Sequence, residues 1–162
     1  IIKAEKTIYT PTEFDTLGLV QSAIKTIAYE MENKNITFTI SEKTYQVYAD
    51  EASILRVLVI LLDNAIKYTP EYGKIEVVQR ATNKSVKISI KDNGIGISED
   101  SIDKIFDRFY RSESSRTSQK SHGYGLGLAI AKSICDSQNI PLHVKSQLKK
   151  GSVFSITLPL SK

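Results

Sequence analysis

The pairing of strand-like segments along the chain limits its possible folds more than any other feature. Residues 74–80 and 86–91 alternate apolar and polar side chains, and residues 142–147 and 152–159 are predicted as two strands that flank a turn at residues 149–151. Each pair is joined by a short turn, so each is expected to form an antiparallel hairpin. Because regular strand–helix–strand crossovers are missing from the pattern, the sequence predicts an α+β two-layer sandwich and not a doubly wound parallel sheet.

Three longer segments have helical periodicity. Residues 14–32 and 51–68 carry apolar side chains three and four positions apart, and a third helix is predicted from about Gly125 to Ser137. The second of these helices ends at Thr69-Pro70, because the residue before a proline disfavours helical geometry.

Weaker patterns predict a further hairpin, a short helix and one irregular segment. Residues 36–40 alternate apolar and polar side chains, and residues 45–48 are predicted to be their hairpin partner. Residues 103–111 are predicted to form a short helix with an aromatic face. Residues 112–121 are rich in serine and charge, which indicates a mobile segment.

Composition narrows the class of protein. The 162 residues suit one domain spanning 1–162, and 41% hydrophobic content is enough to bury a core. No run approaches the ~18 apolar residues of a membrane span. The single cysteine, Cys135, excludes an internal disulfide and is expected to be buried on a helix. The first residue is Ile1, which indicates a piece of a larger protein.

The distribution of charge disfavours a nucleic-acid surface. The formal net charge is +4, and the lysines and arginines are scattered, with a modest cluster between residues 104 and 120. Nucleic-acid binding would call for a denser basic stripe interleaved with aromatic residues. A local site for a polyphosphate fits this amount of charge better.

The end of the second helix carries the first candidate motif. Asn64, Lys67 and Tyr68 are spaced i, i+3 and i+4, so they share one helix face. An amide oxygen can bind Mg²⁺, an ammonium can reach a phosphate, and a tyrosine ring can cover a sugar or a base. An amphipathic helix with a solvated polar side would also fit this pattern.

The second candidate motif is Asp92-Asn93-Gly94-Ile95-Gly96-Ile97, which directly follows a strand. A carboxylate in that position can accept a hydrogen bond from an exocyclic amino group such as that of adenine. The glycines permit a sharp turn and a close approach to a ligand. An ordinary turn has the same residue preferences, so it remains an alternative.

Two later motifs are suited to phosphates. Arg108 and Arg111 share a face within residues 105–111, where a solvated basic face is the alternative. Residues 123–128 place three glycines before a helix, where backbone N–H groups can bind an anion or the glycines can act as a hinge. The motif lacks the Gly-Lys-Ser/Thr of a Walker loop and the glycine spacing of a dinucleotide fingerprint.

The order of the four motifs resembles one known family. Residues 64–69, 92–97, 106–111 and 123–130 are similar to the N box, first glycine box, F box and second glycine box of sensor histidine kinases. Residues 151–159 are similar to the final strand of that family, so the resemblance covers nearly the whole chain. It implies the Bergerat ATP-binding fold, in which helices pack on a mixed, mostly antiparallel sheet.

The resemblance implies specific roles at the phosphate and ribose end of an ATP molecule. Asn64 would bind Mg²⁺, Lys67 and Arg111 would contact phosphates, and these three would be the catalytic residues. Tyr68 and Tyr110 would lie near the ribose and the base. ATP and Mg²⁺ are therefore the expected cofactors.

The resemblance implies roles for the two glycine boxes as well. Asp92 would accept a hydrogen bond from the adenine amino group, in a pocket shaped by Gly94, Gly96 and Ile97. The residues that would close over the phosphates are Gly123, Gly125, Leu126 and Gly127. Residues 112–122 would form the ATP lid.

One position departs from the family pattern. The family has a second asparagine one turn before Asn64, whereas this chain has Ile60. Related ATP hydrolases, of the type II topoisomerase and mismatch-repair kind, carry a glutamate there to activate water. Because Ile60 can neither bind a metal nor accept a proton, the sequence predicts a weaker Mg²⁺ site and argues against a hydrolase.

The resemblance further implies that the phosphate acceptor lies elsewhere. Neither His122 nor His143 has the Ser-His-Glu/Asp context of the family's phospho-acceptor. Residues 1–13 would lead in from a missing dimerisation and histidine phosphotransfer domain, and a response regulator would act downstream. The chain itself would be a monomeric, cytoplasmic domain of a membrane-anchored receptor.

Three other functions remain alternatives. They are a serine kinase of the anti-sigma type, an ATP-hydrolysing domain and a degenerate binding module.

Overall fold

A five-stranded sheet forms one layer of the computed structural model, which describes residues 7–110 and 126–162. Its strands, in spatial order, are β2 (Thr37–Ile40), β4 (Lys74–Ala81), β5 (Ser85–Asp92), β7 (Gly151–Pro159) and β6 (Leu142–Gln147). Only the β2–β4 pair of this sheet is parallel, and the other three pairs are antiparallel. The two predicted hairpins, β4–β5 and β6–β7, are therefore confirmed.

The predicted pairing of residues 36–40 with residues 45–48 is wrong. Strand β3 (Gln46–Ala49) instead pairs antiparallel with β1 (Thr12–Asp15) in a separate two-stranded sheet. The connection of residues 41–45 contains none of the glycine, asparagine or aspartate residues that tight hairpin turns prefer. This connection is a loop. The Nε2 atom of Gln79 donates a hydrogen bond of 2.8 Å to the carbonyl of Lys43 within it.

The helices form the second layer. In the part of the chain that the structure describes they are α1 (Thr16–Asn33), α2 (Glu51–Tyr68), α3 (Glu99–Ile102) and α4 (Gly127–Ser137). Helix α2 packs against both α1 and α4 and reaches β5. Its buried side chains are Ile54, Val57, Leu58, Leu61, Leu62, Ala65 and Ile66. The expected α+β two-layer sandwich is confirmed, and Cys135 is buried within α4 as predicted.

The helix predicted at residues 103–111 is also wrong. Helix α3 lies earlier, at Glu99–Ile102, and residues 103–109 form turns. Phe106 and Phe109, three positions apart, would share one face of a helix, but only Phe106 packs against the core. Phe106 meets Phe154 edge-to-face at 6.4 Å between ring centroids, whereas Phe109 is 67% exposed with a φ of 64°.

An aspartate side chain caps the N-terminus of α2. Asp50 accepts the backbone N–H of Ser53 at 2.9 Å and that of Thr10 at 2.7 Å. These bonds, that to Thr10 first, hold the pKa of the Asp50 carboxyl below its usual value. The segment before β1 is thereby attached to the start of α2. Within residues 7–110 and 126–162, no helix combines the length and apolar character required to cross a membrane.

Candidate functional site

A cavity lies where the C-terminal half of α2, the end of β5 and the start of α4 meet, and we call it the central cavity. Its lining residues are Asn64, Tyr68, Asp92, Ile95, Gly96, Ile97, Ile105, Tyr110, Leu128 and Ser152. Six of them are predicted site residues: Asn64, Tyr68, Asp92, Gly96, Ile97 and Tyr110. Motifs that are far apart in the sequence therefore meet at one cavity.

Asp92 ends β5 inside the central cavity and is only 5% exposed. Its Oδ1 atom accepts the backbone N–H of Gly94 at 2.9 Å and that of Ser152 at 3.3 Å. No donor from the described residues reaches Oδ2, and this oxygen is not sealed from solvent. Oδ2 is consequently the acceptor that the carboxyl group offers to a ligand.

The charge state of Asp92 reflects two opposing effects. Burial raises the pKa of the Asp92 carboxyl above its usual value, and the hydrogen bonds from Gly94 and Ser152 oppose that rise. A ligand that donates a hydrogen bond to Oδ2 would add a third stabilising contact to the charged form.

The glycines of the loop after Asp92 are required by close backbone contacts. A Cβ atom on Gly94 would lie 2.2 Å from the carbonyl oxygen of Tyr68. Gly96 has a φ of 73°, and a Cβ there would lie 2.1 Å from the carbonyl oxygen of Gln147. The intervening Ile95 donates its N–H to the Tyr68 carbonyl at 3.1 Å. The loop is therefore fastened to the end of α2 on one side and to the β6–β7 turn on the other.

Hydroxyl groups fix two further residues that line the central cavity. The backbone N–H of Ile97 donates to Ser146 Oγ at 2.7 Å. The hydroxyl of Tyr110 donates to Ser101 Oγ at 2.8 Å, which connects the residue to helix α3. Because the Tyr110 hydroxyl is engaged with α3, the ring is the part of this side chain that is available to a ligand.

The predicted trio on α2 is only partly gathered at the central cavity. Asn64 and Tyr68 line it, but Lys67 does not. The Lys67 ammonium instead forms an ion pair of 3.0 Å with Asp63, one turn earlier on α2. Ile60 lies beside the first turn of α4, since a Cβ on Gly127 would be 3.4 Å from Ile60 Cγ2.

Several predicted residues do not join this group. Arg111, Gly123, Gly125 and the predicted lid of residues 112–122 lie outside the described residues. Arg108 and Leu126 line a separate groove between the N-terminal half of α2 and α4. The expectation that Arg108 shares a phosphate site with Arg111 is thus not tested.

Sequence reasoning missed four residues that line the central cavity: Ile95, Ile105, Leu128 and Ser152. The three apolar residues resemble ordinary core positions, and nothing in their spacing distinguishes a cavity wall from a core. Ser152 contributes a backbone N–H to Asp92, and only the antiparallel register that pairs these two residues across β5 and β7 reveals it.

Asn64 is the predicted metal ligand among the described residues that line this site. No group of three or more histidine, cysteine, aspartate or glutamate side chains that could hold a metal occurs in residues 7–110 and 126–162. The amide oxygen of Asn64 is suited to Mg²⁺, which takes oxygen ligands and is held by one or two protein groups together with substrate phosphates. This arrangement fits an ion that arrives with a nucleotide.

Known sensor kinases are similar to this chain in sequence. It is 38% identical over 135 residues to the sensor protein CiaH of Streptococcus pneumoniae, an alignment that covers 82% of this chain and 30% of CiaH. It is 40% identical over 134 residues to the adaptive-response sensory kinase SasA of Synechocystis sp., which covers 82% of this chain and 34% of SasA. The chain thus spans about a third of the length of these curated relatives.

Solved structures agree with the sequence relatives. The catalytic domain of the histidine kinase ThkA, in a nucleotide-free form, matches with a TM-score of 0.79 and 28% identity, over 94% of this chain and 99% of that domain. The mycobacterial sensor histidine kinase MprB matches with a TM-score of 0.79 and 25% identity, over 94% and 98% of the two chains. The family model for histidine kinase-, DNA gyrase B- and HSP90-like ATPases matches residues 49–162. The chain therefore belongs to the histidine kinase-, DNA gyrase B- and HSP90-like ATPase family.

Proposed function

We propose that this chain is the ATP-binding catalytic domain of a two-component sensor histidine kinase. It would donate the γ-phosphate of ATP to a histidine on a separate dimerisation domain. The observation that carries this proposal is the buried Asp92, whose Oδ2 atom is left as an acceptor in a cavity that also contains Asn64 and Tyr68. The kinase relatives and the family of the chain support it.

The base of the nucleotide is recognised at the Asp92 end of the central cavity. Asp92 Oδ2 accepts a hydrogen bond from the exocyclic amino group of adenine, and Gly94, Gly96 and Ile97 shape that part of the wall. The apolar side chains of Ile105 and Leu128 supply surface against which a flat ring can pack. Tyr68 and Tyr110 flank the ribose and the base.

The phosphates lie at the opposite end, beside Asn64. The amide oxygen of Asn64 binds Mg²⁺, and such an ion supplies neutralisation of phosphate charge when it is bound. Lys67 and Arg111 contact the phosphates, which requires Lys67 to leave its ion pair with Asp63. Residues 112–122 act as the lid, and the residues that close over the phosphates are Gly123, Gly125, Leu126 and Gly127.

The chemistry of this domain consists of positioning and charge neutralisation, because phosphoryl transfer needs little covalent participation by the protein. The chain itself is not the phosphate acceptor. His143 is an exposed residue of a strand and lacks the Ser-His-Glu/Asp context. Ile60 supplies no proton acceptor where the hydrolases of this family carry a glutamate, which disfavours an ATP-hydrolysing role.

The remaining parts of the protein follow from this assignment. Residues 1–13 connect the chain to its own dimerisation and histidine phosphotransfer domain, and a response regulator accepts the phosphate afterwards. ThkA, a structural relative, has been solved in complex with the response regulator protein TrrA. We further propose that the chain by itself is monomeric and that it belongs to the cytoplasmic part of a membrane-anchored receptor.

An Asp92→Asn variant tests the base-recognition step. Asparagine can retain the Oδ1 contacts to Gly94 and Ser152 while it turns the ligand-facing atom from an acceptor into a donor. The affinity for an ATP analogue, measured by calorimetric titration, is expected to fall by about 10- to 100-fold, since an unpaired polar contact costs about 1–3 kcal/mol.

A nucleotide with the opposite hydrogen-bonding group provides the matched control. Inosine triphosphate carries a 6-oxo acceptor in place of the 6-amino donor of ATP. The Asp92→Asn variant should therefore shift its preference from ATP toward inosine triphosphate. Equal losses for both nucleotides, or wild-type affinity for ATP, would contradict recognition by Asp92.

Phosphoryl transfer is tested by mixing the chain with the upstream part of its parent protein and labelled Mg-ATP. Acid-labile phosphate on a histidine of the upstream part is expected. The chain alone should remain unlabelled, and label on it would exclude the assignment of the acceptor to another domain.

A further inference from the structure

A single lysine outside the central cavity binds the carbonyl groups at the C-terminal end of α2, the helix that carries Asn64 and Tyr68. The ammonium of Lys34, the residue that follows α1, lies 2.6 Å from the carbonyl oxygen of Ile66. It also lies 3.2 Å from the carbonyl oxygen of Lys67 and 3.1 Å from that of Thr69. One side chain thus contacts three carbonyls of the last turn of α2 and of its C-cap.

Backbone donors serve this helix end poorly, because the N–H of the C-cap Thr69 reaches the Ile66 carbonyl only at 3.4 Å. The last four carbonyls of a helix have no partner within the helix, and glycine-based caps normally satisfy some of them with backbone N–H groups. Here Thr69 is extended, with φ of −99° and ψ of 126°, because Pro70 follows it. Proline has no N–H to donate. The three protons of an ammonium group can replace the missing donors.

The positive charge of Lys34 suits this position. The C-terminal end of a helix carries a partial negative charge, so an ammonium placed there is favourable. Bonds from a charged donor are stronger than those between neutral groups. Because the Lys34 side chain is partly buried between α1 and α2, solvent screens this interaction less than it would screen a surface contact.

The turn that Lys34 fixes supports both ends of the central cavity. Tyr68 belongs to this turn and Asn64 directly precedes it, and both residues line the cavity. The Tyr68 carbonyl accepts the N–H of Ile95 and leaves no room for a side chain on Gly94, so the loop after Asp92 rests on the same turn. Lys34 itself is not among the lining residues of the cavity.

We propose that Lys34 is a positioning residue of the nucleotide site: by binding the terminal carbonyls of α2, it fixes the turn on which Asn64, Tyr68 and the adenine loop depend. The proposal rests on the nucleotide-binding function proposed above. If Lys34 only stabilised the fold, its replacement would change the stability of the protein. A positioning Lys34 also controls the affinity of the fully folded protein for nucleotide.

The test compares Lys34→Arg, Lys34→Gln and Lys34→Met in the complete chain. The ligand is a non-hydrolysable ATP analogue, titrated calorimetrically well below the melting temperatures of all variants. We expect Lys34→Met to weaken binding by at least about tenfold, because small displacements of binding groups cause losses of that order or more. Lys34→Arg should retain most of the affinity, and Lys34→Gln should lie between the two.

Lys25→Met is the matched control, since it removes the same charge from an exposed position of α1. It should bind like the wild type. If Lys34→Met does not fold, the ordering of arginine above glutamine decides the question. Wild-type affinity in every folded variant would overturn the proposal, and Lys34 would then have only a structural role. Absence of binding by the wild type would instead refute the nucleotide-binding function, so the two failures are distinguishable.

Discussion

The two ends of the central cavity are built in different ways. At the Asp92 end the backbone determines the geometry: two N–H groups hold Oδ1, and Gly94, Gly96 and Gly151 contact other main-chain atoms with no room for a Cβ. At the Asn64 end side chains take a larger part, through the Asp63–Lys67 pair and through the Lys34 contacts that support both ends. The first end is expected to be rigid and intolerant of substitution, and the second adjustable.

The largest effect is expected from Gly96→Ala, at the backbone-built end. The φ of 73° disfavours any L side chain, and the new methyl group would meet the Gln147 carbonyl. We expect a loss of more than about 3 kcal/mol in the free energy of unfolding, measured with urea. Gly127→Ala is the control, because among the described residues its methyl group would only touch Ile60. That change should remain within about 1 kcal/mol of the wild type, or stabilise α4. Similar losses of unfolding free energy for Gly96→Ala and Gly127→Ala would contradict the expected rigidity of the Asp92 end.

The next effect is a pH dependence that only the Asp92 end should show. Burial raises the pKa of Asp92, so its protonated form becomes populated at a higher pH than for an exposed aspartate. When Oδ2 is protonated it becomes a hydrogen-bond donor. It then faces the adenine amino group, which is also a donor. The affinity for adenosine, which has no phosphate to titrate, should fall by about tenfold per pH unit below that pKa. A flat profile from neutral pH to the onset of acid unfolding would contradict this.

The same shift has a consequence of opposite sign for stability. The native state binds this proton more tightly than the unfolded state, so the contribution of Asp92 to stability declines as pH rises from the unfolded to the native pKa. Asp92→Asn should therefore be at least as stable as the wild type at neutral pH while it binds nucleotide less well. A urea titration at neutral pH measures the first quantity, and a loss of stability there would indicate that the charge is needed for folding.

How well the sequence predicted the molecule depends on the range of the interactions. The hairpins β4–β5 and β6–β7 and the three long helices follow from local periodicity and were predicted. The pairing of β3 with β1 was not, because it joins residues 12–15 to residues 46–49 across the whole of α1. The helix predicted at residues 103–111 is wrong because Phe109 has a φ of 64°, a left-handed conformation that a right-handed helix cannot contain.

The residues of the site also differ in whether local sequence or long-range contacts reveal them. Asp92, Asn64 and Tyr68 stand out in the sequence because each motif has a recognisable residue order, and all three line the central cavity. Lys34 and Ser152 were not identified, because they act through contacts made only after folding: one through its ammonium on a distant helix, the other through a backbone N–H. A lysine after a helix has no sequence signature that separates it from a surface lysine.

A moderate effect is expected from Ile60→Asn, which adds an amide to the side-chain-built end. Ile60 packs against the core, so the change should cost about 1–2 kcal/mol of stability. The second amide should strengthen the dependence of ATP-analogue affinity on Mg²⁺ by about fivefold, the equivalent of one added polar contact. Ile60→Ala loses similar packing without adding a ligand. An equal Mg²⁺ effect in both variants would show that residue 60 does not reach the metal.

The smallest effect is expected from Asp63→Asn, which releases Lys67. The Asp63–Lys67 pair is exposed at 38% and 31%, so its loss should change stability by less than about 0.5 kcal/mol. If Lys67 serves the phosphates, its release should raise the affinity for an ATP analogue by about twofold to threefold relative to that for adenosine.

Helix α4 offers the matching control, because Lys132 and Asp136 form the same i, i+4 pair at 2.9 Å. Asp136→Asn should alter stability as little as Asp63→Asn does, and it should leave the ratio of the two affinities unchanged. In a Lys67→Met background the gain from Asp63→Asn should vanish, because the two residues then no longer interact. A gain that persists without the ammonium would arise from the removal of negative charge alone, and the Asn64 end would then bind phosphates without Lys67.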